Sequence, residues 1–311
     1  MLATHRHQPE GGARFIDPRV LARIANLELL ARTVVEGFVS GLHRSPHLGL
    51  STDFAEHRSY QPGDDLRRLD WKLFGRTDRF YLKEFEAETN ANVVVLLDAS
   101  RSMHYGSGAV TKLDYARYLA AALLWFSQSQ RDKVGLITFD GDIREHIPPS
   151  TRRLPHCLHA LERMARPPAT PSPAGSLDAP MRKSTELLTR RGIVILISDL
   201  YETPEKVVAA CGHLRQRGND LIVLQVLDPA ELSFPFNEAA SFEDMETGEK
   251  IPVVPDRVQR DYRGRMERHL QELRRLMSRG GIDFASFDTS KPLDHALFNY
   301  LNSRQRLNRV R

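Results

Sequence analysis

The stretch VVVLLDASRSM, from Val93 to Met103, joins an aliphatic run to a carboxylate and two hydroxyl groups. Five apolar residues in succession are typical of a strand that is buried on both faces of a parallel sheet. In such a sheet, ligands bind beyond the carboxyl ends of the strands, which is where Asp98 stands. The stretch therefore predicts a central strand and a binding site at its end.

A regular alternation of strands and helices continues from this stretch. Apolar runs predict further strands at residues 133–139, 143–147, 192–198, 220–227 and 282–287. A helix is expected to begin near Thr111, because Thr111 and Asp114 have the spacing of an N-cap residue and its acidic N3 partner. The pattern indicates an α/β fold, a doubly wound and mostly parallel sheet with helices on both faces, one antiparallel edge strand, and a later hairpin at residues 246–248.

Residues 1–90 follow a different pattern and predict a small N-terminal α+β element. A helix is expected from Pro18 to Gly37, and a strand near residues 80–86. The polar, arginine-rich segment between them carries aromatic residues that need a core. We therefore divide the chain into residues 1–90 and residues 91–311.

Composition excludes several classes of protein. The 311 residues include 44 Lys or Arg and 40 Asp or Glu, a net charge of +4, and this mild excess without aromatic interleaving argues against a nucleic-acid partner. No apolar run approaches the roughly 20 residues of a membrane span, and the N-terminus lacks a secretory signal, so we expect a cytoplasmic protein. Cys157 and Cys211 lack metal-binding or redox spacing and are expected in the core.

Four oxygen-bearing residues predict a metal site at one edge of the sheet. Asp98, Ser100 and Ser102 alternate, so their oxygens can converge on one point. Asp199 ends the aliphatic run 192–198 and reaches the same edge. Carboxylate and hydroxyl oxygens are hard ligands that suit Mg²⁺ or Mn²⁺. The competing interpretation is a chance match in which Asp98 only caps the helix that follows.

This arrangement resembles the metal-ion-dependent adhesion site of von Willebrand factor A domains. In that family a D-x-S-x-S loop, a threonine from a second loop and an aspartate from a third hold a divalent cation, and a partner carboxylate fills an open position. The resemblance assigns Asp98, Ser100 and Ser102 to the first loop and Asp199 to the third. The second loop, residues 170–176, departs from the family pattern, since one alignment gives Ser176 as the hydroxyl and another gives Gly175.

A second resemblance covers the chain from about Asp17 to the C-terminus. The block RSYQPGDDLRRLDW, residues 58–71, followed by Lys83–Glu86, is similar to the bacterial domain of unknown function 58 family. The resemblance implies a von Willebrand factor A-like domain and a partnership with MoxR-type AAA+ ATPases. The block itself is interpreted either as Arg–Asp pairs packed over Trp71, which we favour, or as a partner-facing surface.

Two classes of function fit these residues. The favoured one is a non-enzymatic, metal-dependent protein-binding module, an adaptor or assembly factor that works with a MoxR-type AAA+ ATPase and recognises an acidic residue of its partner. The alternative is a metal-dependent phosphohydrolase or nuclease that uses the strand-end aspartates. Ser100 stands where a second acid would serve such chemistry, and His104 is expected to shape the loop. Nucleotide binding is the weakest option, because the first strand has no GxGxxG or P-loop motif after it.

Overall fold

The computed structural model describes residues 18–21, 24, 26–43, 57–59, 74–75, 80–83, 91–165, 176–238, 240–245 and 248–293. Most of the arginine-rich block at 58–71 and the continuation of the strand expected at 80–86 lie outside the described residues. The sequence pattern also predicts a last helix from Leu293, and all of it beyond that residue lies outside them as well. The division of the chain at residue 90 stays a prediction.

The secondary structure follows the predicted alternation. The strands are β1 (His57–Ser59), β2 (Tyr81–Lys83), β3 (Asn92–Asp98), β4 (Lys133–Phe139), β5 (Ile143–Ser150), β6 (Ile193–Ser198), β7 (Asp220–Leu227), β8 (Ala240–Glu243), β9 (Lys250–Val253) and β10 (Asp283–Asp288). The helices are α1 (Pro18–Leu21), α2 (Leu27–His43), α3 (Lys112–Ser129), α4 (Leu154–Arg163), α5 (Asp178–Leu187), α6 (Pro204–Gln216), α7 (Pro229–Ser233) and α8 (Pro255–Arg279).

Six of the strands form the central sheet in the order β10–β7–β6–β3–β4–β5. Every neighbouring pair is parallel except β4 and β5, which are antiparallel and place β5 at one edge. Two antiparallel pairs, β1 with β2 and β8 with β9, stand apart from it. The predicted α/β architecture, mostly parallel with one antiparallel edge strand, is confirmed.

The aliphatic run on β3 is explained by burial on both faces of the sheet. Side chains alternate along a strand, so Val93, Val95 and Leu97 pack into the core beneath α2, α3 and α4. Val94 and Leu96 pack into the opposite core, beneath α5, α6 and α8. All five are buried, and a polar residue before Asp98 would enter one of the two cores. The two predicted core cysteines are likewise buried, one on each side of the sheet.

The start of α3 is fixed by the predicted capping box. The hydroxyl oxygen of Thr111 accepts a hydrogen bond from the backbone N–H of Asp114 at 3.0 Å. The Asp114 carboxylate in turn accepts from the backbone N–H of Thr111 at 3.4 Å. Because the cap begins the helix at Lys112, that lysine occupies the first helical position.

The single helix expected from Pro18 to Gly37 is wrong, because the chain forms α1 and α2 instead. Asn26 starts the second helix, since its side-chain oxygen accepts a hydrogen bond from the backbone N–H of Leu29 at 2.9 Å. Leu30 and Val34 of α2 are buried in the same core as α3. The apolar periodicity was continuous across the cap, so it hid the interruption.

Helix length and polarity bear on membrane insertion. Among the helices that the structure describes, none combines the length and apolar character that a membrane span requires.

Close packing between β3 and the start of β6 gives a test of this core. A Cβ atom on Gly192 would lie 2.2 Å from the Asn92 carbonyl oxygen, so we expect Gly192→Ala to lower the free energy of unfolding by about 1–3 kcal/mol. The matched control is Gly212→Ala on α6, where the added methyl group meets no atom within 4 Å and should raise stability by about 0.5–1 kcal/mol. Urea unfolding measures both. Equal effects of the two substitutions would contradict the close contact at Gly192.

Candidate functional site

The loop after β3 brings three of the predicted ligands together. The Asp98 carboxylate accepts a hydrogen bond from the backbone N–H of Ser100 at 2.8 Å, which turns the chain back over the end of the strand. The hydroxyl oxygens of Ser100 and Ser102 then lie 3.1 Å apart. Met103 is fully buried and anchors the loop in the core. A carboxylate and two hydroxyls therefore meet at one edge of the sheet.

The end of β6 is joined to the same carboxylate. The Ser198 hydroxyl donates to the second oxygen of Asp98 at 2.6 Å. Asp199 follows directly and is buried. The predicted convergence of two strand ends at one edge is therefore present, and Ser198 is the link between them. Sequence reasoning missed Ser198, because it looked only at the residues beyond the strand ends.

Asp98 carries the clearest electrostatic signature of the site. Burial, and after it the negative charge of Asp199, raise the pKa of its carboxyl to about 7. The hydrogen bonds from Ser198 and Ser100 favour the charged form and offset only part of that rise. A cation bound at this carboxylate would favour the ionised form of Asp98. Positive charge at this edge of the sheet would therefore stabilise the two carboxylates.

A lysine that sequence reasoning missed lies beside Asp199. The Lys112 ammonium donates to the Asp199 carboxylate at 2.8 Å and to the Glu231 carboxylate at 2.7 Å. It also lies 4.7 Å from the centre of the Tyr201 ring, within the range of a cation–π interaction. A signal was present in the sequence, because a basic residue at the first position of a helix opposes the helix dipole.

The backbone after Asp199 is strained and held in place by hydrogen bonds. Leu200 has a φ of 56°, in the left-handed region that an aliphatic residue rarely adopts. Its backbone N–H donates to the Ser198 hydroxyl at 3.2 Å, and its carbonyl lies 3.3 Å from a ring nitrogen of His269. The Gln225 side chain donates to the Asp199 carbonyl at 2.9 Å. Such strain collects at functional sites, where the surroundings enforce it.

The second loop of the predicted site is only partly described. Ser176 is exposed and lies just before α5, while Gly175 lies outside the described residues. The backbone N–H of Leu177 donates to the Glu202 carboxylate, three residues past Asp199. This bond brings the start of α5 toward the loop after β6, and the residue of the 170–176 loop that completes the site stays a prediction.

The donor set limits the kind of metal that these residues could hold. Within the described ranges, no three His, Cys, Asp or Glu side chains form a metal-binding group. A cation at this edge would be held by the carboxylate of Asp98 and the hydroxyls of Ser100 and Ser102, with the carboxylate of Asp199 beside them to orient a bound water. Oxygen ligands of this kind suit a hard divalent ion such as Mg²⁺.

The raised pKa of Asp98 gives a test in the absence of metal. Between the ordinary pKa of an aspartate and about 7, the folded protein binds a proton that the unfolded chain does not, so stability should fall as pH rises through this window. Asp98→Asn removes this group. We therefore expect the variant to gain about 2–3 kcal/mol relative to the wild type between pH 5 and pH 8 in EDTA, as measured by urea unfolding.

Asp142→Asn is the matched control. Asp142 is exposed, and its hydrogen bonds with Lys183 hold the pKa of its carboxyl below the usual value, so no such gain should appear in this window. Parallel stability curves for Asp98→Asn and the wild type would contradict the assignment.

Comparison with known proteins places the chain among uncharacterized relatives. An uncharacterized protein of Mycobacterium tuberculosis is 26% identical over 297 residues, which cover 93% of this chain and 91% of the relative. A crystal structure of an aerotolerance-related membrane protein from Bacteroides fragilis is 21% identical, with a TM-score of 0.47, and covers 68% of this chain and 98% of that one. The crystal structure of the SpRpn10 VWA domain is 11% identical, with a TM-score of 0.38, over 68% of this chain and 94% of that one.

The sheet order and the family match agree with the expected resemblance. The six-stranded, mostly parallel sheet with a core on each face is the doubly wound α/β architecture that the sequence predicts. The family model described as Protein of unknown function DUF58 matches residues 56–274, which is well over half of the chain. The protein therefore belongs to the DUF58 family.

Proposed function

We propose that this protein is a non-enzymatic, metal-dependent protein-binding module. The observation that carries the proposal is the meeting of Asp98, Ser100 and Ser102 at the end of the central strand, with Asp199 acting on Asp98 from the next strand. Mg²⁺, or Mn²⁺, is the ion that these oxygens suit. Ser176 is proposed as a further hydroxyl ligand from the second loop.

The roles of the residues follow from their chemistry. Asp98 would anchor the ion through its buried carboxylate, and Ser100 and Ser102 would add neutral hydroxyl oxygens. Asp199 would orient a bound water. When bound, the ion supplies positive charge and an exchangeable position for a carboxylate of the partner. Neutral hydroxyls in place of further acids leave part of the ionic charge unbalanced, which favours capture of an acidic partner.

The partner that we propose is a MoxR-type AAA+ ATPase, for which this chain would act as an adaptor or assembly factor. Membership of the DUF58 family supports this proposal, because the resemblance to that family implies a partnership with such ATPases. An acidic residue on the ATPase would complete the shell of the ion. The interaction would then depend on both the divalent cation and that acidic residue.

Metal dependence is tested by titration with Mn²⁺, followed by electron paramagnetic resonance. Asp98→Ala removes the anchoring carboxylate, so we expect Mn²⁺ affinity to fall at least about tenfold, or about 1.4 kcal/mol. Asp142→Ala, which removes an exposed aspartate in the turn between β4 and β5, should bind as the wild type does. Equal binding by the wild type and Asp98→Ala would exclude a metal site at Asp98.

Partner capture is tested with the purified MoxR-type ATPase of the same organism in a pull-down. Binding should require Mg²⁺ and should be lost in Asp98→Ala, while circular dichroism shows an unchanged fold. Capture that persists in EDTA would show that the interaction does not use the metal. The same preparations are screened with generic phosphoesters and single-stranded nucleic acid, where metal-dependent turnover lost in Asp98→Asn would favour the phosphohydrolase alternative.

A further inference from the structure

Lys112 is the most completely buried charge near the proposed metal site. Its side chain is 0% exposed, and its two carboxylate partners are 5% exposed for Asp199 and 14% for Glu231. Two N–H groups of the ammonium meet these carboxylates, and the face of the Tyr201 ring lies 4.7 Å away. Burial of an ammonium is strongly unfavourable unless a carboxylate pairs with it, so Lys112 must keep at least one of these two partners whenever the protein is folded.

The position of Lys112 on its helix makes the arrangement more demanding. Lys112 is the first residue of α3, so its ammonium adds to the partial positive charge of the helix N-terminus. The loop before it is also fixed, because the backbone N–H of Lys112 donates to the Tyr105 carbonyl at 2.9 Å. Tyr105 in turn donates through its backbone N–H to the carbonyl of Ser102. The lysine is therefore tied by backbone bonds to the loop that carries Ser100 and Ser102.

Lys112 and a divalent cation would draw on the same negative charge. The ammonium holds one oxygen of Asp199 at 2.8 Å, while the charge of Asp199 is the one that acts on Asp98. A cation bound at Asp98 would attract the Asp199 carboxylate and oppose its contact with Lys112. Glu231 offers Lys112 a second carboxylate at 2.7 Å, so the ammonium keeps a buried partner if Asp199 turns toward the cation.

We propose that Lys112 is an internal cation that competes with the divalent metal for Asp199, and that Glu231 retains Lys112 when the metal takes Asp199. The inference rests on the metal-dependent function proposed above and adds a residue that sets the affinity of the site. Lys112 is a positioning residue, since it acts through Asp199 and is too buried to contact a partner. Its competition for Asp199 lowers the affinity of the site for the metal.

The first test measures Mn²⁺ affinity of the full chain by electron paramagnetic resonance. Lys112→Met removes the competing charge, so its Mn²⁺ affinity should exceed that of the wild type at least about fivefold. Arg101→Met is the matched control, because it removes a positive charge from the D-x-S-x-S loop itself without touching Asp199. Unchanged affinity in Lys112→Met, or an equal gain in Arg101→Met, would overturn the inference.

A second variant keeps the inference testable if Lys112→Met does not fold, which circular dichroism detects. Among the described residues, Glu231→Gln leaves Lys112 with Asp199 as its only carboxylate contact, so Mn²⁺ should bind more weakly than to the wild type. The glutamine side chain can still accept the hydrogen bond from the Asp228 backbone N–H. Asp228→Asn removes a neighbouring carboxylate that does not contact Lys112 and should shift the affinity less. Binding to Glu231→Gln as tight as to the wild type would overturn the inference.

The two proposals fail in different ways. Absence of Mn²⁺ binding in the wild type and in every variant would overturn the metal-dependent function and the inference with it. Binding to the wild type that is lost in Asp98→Ala, but is insensitive to both Lys112→Met and Glu231→Gln, would overturn the inference alone. Tighter binding in Lys112→Met with weaker binding in Glu231→Gln would support both.

Discussion

Burial of β3 on both of its faces is the constraint on which the rest of this protein depends. Each residue from Val93 to Leu97 enters one of two cores, so the strand has no room for polar chemistry along its length. Asp98 is the first residue after this run that does not have to be apolar. The parallel neighbour β6 is buried in the same way and reaches its first acid at Asp199. Two covered strands thus deliver their acids to a single edge of the sheet.

The buried carboxylates at this edge need hydrogen bonds or positive charges close by, and other residues of the protein supply them. Asp98 is supported by hydrogen bonds from Ser100 and Ser198, and Asp199 by the ammonium of Lys112. Glu231 on α7 shares that ammonium. The strands, the first turn of α3 and the short helix α7 are therefore joined by one network of charges. A metal at this edge would enter a region that already has a positive charge of its own.

The features that sequence reasoning found are those with a local pattern. The aliphatic run predicted the central strand, and the Thr111–Asp114 spacing predicted the start of α3. The features that it missed connect residues far apart in the chain, as Lys112 does with Asp199 and Glu231, or Ser198 with Asp98. The periodic pattern of apolar residues along a sequence does not reveal contacts between such distant residues. The break between α1 and α2 was missed for another reason. The Asn26 side chain caps the second helix inside an apolar pattern that continues across the break.

The edge strand β5 affects whether copies of this protein can pair through the edges of their sheets. An exposed edge offers unpaired N–H and C=O groups on which another chain can add a strand, and this is a route to aggregation. Pro148 and Pro149 interrupt β5 with two successive residues that have no N–H group, and the pairing of β5 with β4 is irregular beside them. Another chain would find fewer N–H donors along this edge, and this disfavours the addition of a further strand to the sheet.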